Sequence, residues 1–460
     1  MPIINFERRK IMKRKFISLL LASLMVGGIF TGCGSNNSGQ SSGSGKTVQI
    51  TFWHSMSGKN GQALTKMVND FNSSHKDIKV NAQFQGKYDE AINKLKSAER
   101  AKNGPDVMQT YDIGTRFMID SGWVKPMQDF IDSEKYDISS LEPNIAGYYT
   151  VNNKLYSMPF NSSTPILYYN KNAFKAAGLD PENPPKTFSE LESAAAKLTK
   201  KDASGKVTQY GYAMAIYGWF FEQFIVKQGQ NYANNGNGRE KAPTAVEFDK
   251  NGAGVKVLDE WQKLVKSGNA ANFGRNEDDT ENAFIAGKTA MYIESTADLS
   301  AVLSGIGGRF EVGTAALPSF DGIKDGGVSI GGASLWALDS KDTAKEKATW
   351  EFIKYMVSPE EQAYWASQTG YFPVTKKAYD VQTMKDNLKK KPQFQTAIDQ
   401  LHNSPSTAKG ALMSVFPEAR QTVETNIEQM LQGKQSPEEA VKNSTDSINS
   451  AIEKYNQNNK

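Results

Sequence analysis

The sequence predicts an α/β protein of two lobes, built on a mostly parallel sheet and finished by a helix-rich C-terminal third. Three observations carry this expectation. Behind an N-terminal segment that reads as a signal and a tether, about 415 residues remain, enough for two or more domains. Early in that stretch the hydrophobic period switches repeatedly between that of a strand and that of a helix. Toward the C-terminus, helix-start signatures recur.

Taken in order, Gln49–Trp53 (QITFW) reads as a strand, and Asn60–Asn72 as a helix with Leu64, Met67, Val68 and Phe71 on one face. Ile78, Val80, Ala82 and Phe84 alternate as a strand. Tyr88–Ala101 returns to helix, carrying Ala91, Ile92, Leu95 and Ala98, and Asp106–Tyr111 is a further short strand. This βαβαβ opening predicts parallel strands covered by helices. Capping boxes announce later helices at Thr187 with Glu190, Ser358 with Glu361 and Ser436 with Glu439, the last two with proline at the first helical position. Helix dominates from Ala344 through Tyr455.

The first 45 residues say where the chain is expected to work. Arg8, Arg9, Lys10, Lys13, Arg14 and Lys15 precede Phe16–Phe30, an uncharged apolar run of fifteen residues. That is shorter than the roughly 20 residues a membrane-spanning helix requires, so the segment reads as a signal peptide over residues 1–32. Met12 is an alternative start. Thr31 and Gly32 then lead to Cys33, the single cysteine among 460 residues. The pattern resembles a bacterial lipobox, although Phe30 stands where a smaller aliphatic residue is usual, and it implies lipidation of Cys33. A lone cysteine in this position fits an attachment point better than a disulfide framework. Residues 33–45 (CGSNNSGQSSGSG) then form a flexible Gly/Ser/Asn tether, because Gly34–Gly45 offers no apolar surface to bury.

Of 54 basic and 50 acidic residues, six and one lie in residues 1–32, which leaves 48 against 49 in the remainder. The basic balance therefore belongs to the signal and gives no argument for nucleic acid binding. Enzyme chemistry finds little support either. No Gly-x-Ser-x-Gly elbow or zinc-ligand spacing occurs, and the histidines are His54, His75 and His402. Gly305–Gly308 and Gly326–Gly332 match neither a Walker loop nor a dinucleotide fingerprint. A secreted hydrolase, which needs two placed carboxylates, remains a distant alternative.

Several segments resemble the extracellular solute-binding proteins of ABC importers: FWHSM (Phe52–Met56), QTYDIGT (Gln109–Thr115), the run from Pro159 to Pro181, PPKTF (Pro184–Phe188), GGASLW (Gly331–Trp336), TGYFPVTKKAYD (Thr369–Asp380) and FPEAR (Phe416–Arg420). Within that family the likeness is to members that bind glycerol phosphates. The resemblance implies a two-lobed periplasmic-binding-protein-like fold of type II, with hinge-linked lobes closing on a ligand in the cleft. It implies lobe 1 from 46–160 and 316–340 and lobe 2 from 164–312 and 343–460, with crossovers near Pro159–Pro165, near Gly313–Pro318 and just after Trp336. It also implies no cofactor, no enzyme activity and a monomer lipid-anchored at the extracellular face of the membrane. That monomer would deliver its solute to permease subunits served by a cytosolic ATPase.

Carried over motif by motif, Tyr88, Asp112, Ser163, Ser295, Gly332, Tyr371 and Arg420 match ligand-binding positions, and Trp219 matches an aromatic walling the cleft. Their chemistry suits a glycerol phosphate. Arg420 can fork onto two phosphate oxygens, with Ser163, Ser295 and the Gly332 amide as further donors. Tyr88 and Tyr371 offer an apolar face with a polar tip. Asp112 would accept from glycerol hydroxyls at the end away from the phosphate. Considered without the resemblance, Arg420 is a bracing ion pair on a helix, the serines are caps, Trp219 and Tyr371 are core or rim, and Asp112 is a turn residue. Two departures bear on specificity: Asp112 replaces a longer glutamate, and Ile216 replaces a tryptophan. The expected ligand is sn-glycerol-3-phosphate or a glycerophosphodiester; the alternative is a neutral mono- or oligosaccharide.

Overall fold

The computed structural model describes residues 47–459. The expected signal peptide, tether and lipidation site at Cys33 lie outside the described residues. Among those described, no helix is long and apolar enough to cross a membrane.

The opening elements form where the periodicity places them: strand Val48–His54, helix Gly58–Ser74, strand Ile78–Phe84, helix Tyr88–Arg100 and strand Val107–Tyr111. Leu64, Met67, Val68 and Phe71 are buried on the first helix, as its apolar stripe requires. The alternation of the second strand does not hold to its end, because Phe84 is 55% exposed. Of the three capping boxes, only Ser436 and Glu439 close both bonds. The Thr187 and Ser358 hydroxyls accept from the third-residue amides, but Glu190 turns to the amide of Lys186 and Glu361 to the hydroxyl of Tyr355.

Two large sheets result beside two small hairpins, and both large sheets are mixed rather than mostly parallel. In the first, Val48–His54 runs parallel to Ile78–Phe84 and to Val107–Tyr111. Gly331–Leu338 runs antiparallel to Val107–Tyr111, Val124–Lys125 and Met158–Ser163. In the second, Tyr212–Ala213 is parallel to Ala270–Ala271 and Met291–Ser295, whereas Pro165–Asn170 is antiparallel to Met291–Ser295 and Val312–Ala316. Within the two large sheets, the antiparallel pairings all involve strands by which the chain passes between lobes. Neighbouring passages in opposite senses must pair antiparallel, a constraint that local periodicity does not carry.

The first passage is short: Met158–Ser163 ends in the first sheet and Pro165–Asn170 begins in the second. Thr164 between them is buried and anchored, its carbonyl accepting from Thr296 and its hydroxyl from Gln400. The return runs from Val312–Ala316 to Gly331–Leu338. The passage expected just after Trp336 does not occur there. Helices Thr343–Met356 and Pro359–Gln368 pack on the first lobe, where Phe352 meets Phe52 and Phe71 edge-on at 5.3 and 5.2 Å. The assignment of 343–460 to lobe 2 is thus corrected in its N-terminal part. Trp350, Phe352, Ile353, Met356 and Trp365 form an apolar surface that covers the first sheet; a cap shows where a helix begins, not which sheet buries it. The chain recrosses later, with helix Gln393–Asn403 lying on strand Val312–Ala316. Helices Phe416–Leu431 and Pro437–Asn458 then pack with Ala253–Lys266 in the second lobe.

Candidate ligand-binding site

Between the lobes lies a cavity of about 440 Å³. Tyr88, Asp112, Ser163, Trp219, Ser295, Gly332, Tyr371 and Arg420 all line it. Its position follows from topology: strands Val48–His54, Val107–Tyr111 and Met291–Ser295 point their C-terminal ends at it, where ligands of open α/β sheets bind. Asp112 and Ser295 each open the short helical turn that ends such a strand. Ser295 also acts as a cap, its hydroxyl accepting from the amide of Ala297 at 3.1 Å.

From the first lobe, Tyr88 stacks on Tyr111 at 5.2 Å. Its hydroxyl accepts from Asn161 at 3.1 Å, and Asn161 in turn accepts from Gln109 at 2.8 Å. Tyr371 stacks on Trp365, and Trp365 on Phe160, so the ring is held by core aromatics. Ser163 is buried at the end of the first passage strand. Gly332, beside it on the return strand, has φ +88°, and a Cβ there would lie 1.9 Å from the carbonyl oxygen of Asn161. Only glycine fits that position.

From the second lobe, Trp219 lies on the first turn of helix Gly218–Lys227 with its ring against Gly331, where a Cβ would meet the indole at 2.5 Å. Its Nε1–H is buried and has no partner among the described residues. Ile216 is buried and is not among the residues lining the cavity; Tyr217 forms the wall at this point.

Arg420 lies buried on helix Phe416–Leu431, and one edge of its fork is already engaged. Nε and Nη2 donate to the two carboxylate oxygens of Glu222, both at 2.7 Å, while Nη1 donates to the Tyr217 hydroxyl at 3.3 Å. Nη2 is also 3.7 Å from Asp112. Two expectations change here. Glu222 holds the Nε–Nη2 edge of Arg420, which leaves the Nη1–Nη2 edge to face a phosphate, and Asp112 stands beside the arginine rather than at the far end of the site. A buried guanidinium needs a carboxylate partner, and Glu222 on the adjoining helix supplies one. Burial raises the Glu222 carboxyl while Arg420 opposes the rise. Burial likewise pushes Asp112 up to about 7 against the pull of Arg420. Gly218 permits this packing, since a Cβ there would meet Arg420 at 2.6 Å.

The strongest feature missed from sequence is the acidity of the walls. Glu277, Asp278, Glu281, Glu294, Asp298 and Glu424 line the cavity together with Asp89 and Asp112, against Lys87, Arg275 and Arg420. Arg275 is turned to Glu428 at 2.7 Å. The i, i+4 spacing of Glu277 and Glu281 was legible as one helix face, but nothing local says that this face meets a cleft.

A polar cavity enclosed by two α/β lobes that the chain crosses repeatedly defines a ligand-trapping protein. The chain belongs to the bacterial extracellular solute-binding protein family, whose sequence profile matches residues 66–396. It is 35% identical to the sn-glycerol-3-phosphate-binding periplasmic protein UgpB of Pectobacterium atrosepticum over 91% of this chain and 95% of that one. It is also 35% identical to UgpB of Escherichia coli K12, over 89% and 92%. Among solved structures, UgpB of Mycobacterium tuberculosis in complex with glycerophosphocholine aligns with a TM-score of 0.75 at 23% identity, covering 90% of this chain and all of that one. The GacH receptor of Streptomyces glaucescens, solved unliganded and with acarbose, aligns with a TM-score of 0.75 at 21% identity over 88% and 99%. The fold is thus the two-lobed one of periplasmic solute-binding proteins, and the protein is a solute-binding protein of an ABC importer and not an enzyme.

Proposed function

We infer that this protein captures a glycerophosphate, either sn-glycerol-3-phosphate or a glycerophosphodiester, by closure of its lobes. It then hands the solute to permease subunits while tethered through lipidated Cys33 as a monomer at the extracellular face of the membrane. The observation that carries the reading is one wall of the cavity: the Arg420 guanidinium, the Tyr217 hydroxyl and the unpartnered Nε1–H of Trp219. This wall offers a positive charge and free donors to an anion. Ser163 and the Gly332 strand adjoin it from the opposite lobe, so an anion bound there would bridge both lobes and favour the closed population. Arg420 acts in this reading through its Nη1–Nη2 edge, while Glu222 holds the other edge in place.

Calorimetric titration of the purified protein with glycerophosphates and with malto-oligosaccharides tests the reading. Arg420→Ala should abolish glycerophosphate binding. Trp219→Phe, which keeps the apolar wall and removes one donor, should weaken it about tenfold, as for one lost hydrogen bond to a charged group. Wild-type protein that ignores every glycerophosphate overturns the reading. A neutral sugar is the second reading, favoured by the carboxylates and stacked aromatics that line the cavity and suit hydroxyls and sugar faces.

A further inference from the structure

Positive charge is unevenly spread over the folded chain. Residues 376–391 (KKAYDVQTMKDNLKKK) carry six lysines against two aspartates, whereas residues 33–460 as a whole hold 48 basic and 49 acidic side chains. No other stretch of sixteen residues between 46 and 460 has so large a positive balance. The segment folds as a short helical turn, Lys376–Asp380, followed by helix Gln382–Lys390, and both pack on helix Pro359–Gln368 of the first lobe. Ala378 and Met384 are buried against that lobe. Lys376, Lys377, Lys385, Lys389 and Lys390 are left exposed, and Lys391 is half-buried.

Two loose, exposed ion pairs soften this charge: Lys377 with Asp137 and Lys385 with Asp380, each at 3.7 Å. Lys376, Lys389, Lys390 and Lys391 have no carboxylate partner among the described residues. Lys59, on the first turn of helix Gly58–Ser74, is close enough to Lys391 for the like charges to repel. It also donates to the hydroxyl of Ser304, so the basic face runs to a point where the two lobes touch. Lys389 and Lys390 suit the C-terminal end of their helix, but that accounts for two of the six. The chemistry of the face selects its partner. Protein interfaces are depleted of lysine at their centres and rest on aromatic or apolar anchors. No such anchor is exposed here; the exposed large apolar side chain, Phe84, belongs to strand Ile78–Phe84. All six cations are lysines, point charges on long stems, where arginine forks would read one particular phosphate or carboxylate. Such a spread of lysines fits a flat, diffuse negative surface.

We propose that this lysine face of the first lobe rests on an anionic bilayer surface and sets the orientation of the folded chain above it. The proposal rests on the anchored reading given above and adds what an anchor leaves open. Thr47 is fourteen residues from Cys33, so at about 3.3–3.6 Å per residue an acyl anchor holds the folded part within about 50 Å of the bilayer. That fixes distance and not direction. Attraction between exposed charges reaches only about 8 Å at physiological ionic strength, so the face acts by lying against the lipid headgroups. Each lysine brought close to an anionic surface strengthens the contact about fivefold. Lys59 and Ser304 put a lobe junction beside this face, which keeps the cleft near the plane of the permease subunits.

Residues 46–460 form a compact unit of their own, so they can be tested without the anchoring segment. In co-sedimentation at about 0.05 M salt, vesicles of mixed phosphatidylglycerol and phosphatidylcholine should bind this unit and vesicles of phosphatidylcholine alone should not; about 0.5 M salt should release it. Changing Lys376, Lys385, Lys389 and Lys390 together to Gln should weaken vesicle binding at least about tenfold. The melting temperature and solute affinity should not move, because none of the four lines the interlobe cavity. Changing Lys79, Lys102, Lys241 and Lys434 to Gln removes the same charge from scattered exposed positions and should leave most of the binding intact. Equal binding to neutral vesicles, equal loss in the two variants, or binding only to vesicles that carry the permease overturns the proposal. The intact mass of the chain purified from membranes reads acylation of Cys33 separately. An acylated chain whose folded unit ignores anionic vesicles sinks the lysine face and keeps the anchored reading. An unacylated chain whose folded unit binds them does the reverse.

Discussion

Replacing Glu222 by alanine tests what Arg420 is for. The two residues are 8% and 5% exposed and share two bonds of 2.7 Å, so the substitution leaves a buried guanidinium without its main partner. Breaking a buried pair in this way costs about 3–5 kcal/mol. Asp112 at 3.7 Å and the Tyr217 hydroxyl at 3.3 Å remain, which argues for the lower end, about 3 kcal/mol. With about 2.1 cal/mol/K of unfolding entropy per residue over about 415 residues, that loss lowers the melting temperature by about 3–4 °C if both lobes unfold together. Urea unfolding of wild type, Glu222→Ala, Arg420→Met and the double variant completes a cycle. The double variant should be more stable than Glu222→Ala, because removing the stranded charge removes its penalty. A single-variant cost under about 1 kcal/mol with no coupling in the cycle would refute the pairing. The fork of Arg420 would then be free for the ligand, as the residue type alone suggests.

Two further outcomes are expected. Gly332→Ala should lose about 2 kcal/mol or more, combining the cost of a left-handed backbone with a Cβ placed 1.9 Å from the Asn161 oxygen; it should also weaken ligand binding, and an unchanged urea midpoint would contradict the geometry. The ligand-free protein should become more stable as pH falls from 8 to 6. Asp112, Glu277, Glu281 and Asp298 are raised to about 7, 7, 7 and 8. Between the ordinary carboxylate range and those values the folded state holds more protons than the unfolded chain, so stability is lost as pH rises through them. His54, depressed by burial from 6.5 to about 4, works the other way, but as a single group against four. Urea midpoints measured across this range check the sign, and a midpoint that rises with pH would show that the carboxyls are not confined.

The sequence by itself determined the opening strands and helices, because a stripe such as Leu64, Met67, Val68 and Phe71 is a local consequence of helical period. Through the resemblance it also pointed to part of the cavity lining, since the motifs holding Tyr88, Asp112, Ser163, Trp219, Ser295, Gly332, Tyr371 and Arg420 can be matched one by one and all eight line the cavity, whereas the acidic wall was not among them. The tertiary structure alone decided how those residues are used. Arg420 meets Glu222 across 198 positions, and the acidic wall of Glu277, Glu281, Glu294 and Asp298 joins a helix face to a strand end and a turn. It also decided that helices Thr343–Met356 and Pro359–Gln368 cover the first sheet. The physical reason is common to all three. Periodicity, caps and turn residues report energies within a few positions along the chain, whereas ion pairing, desolvation and the choice of packing partner depend on groups that only folding brings together.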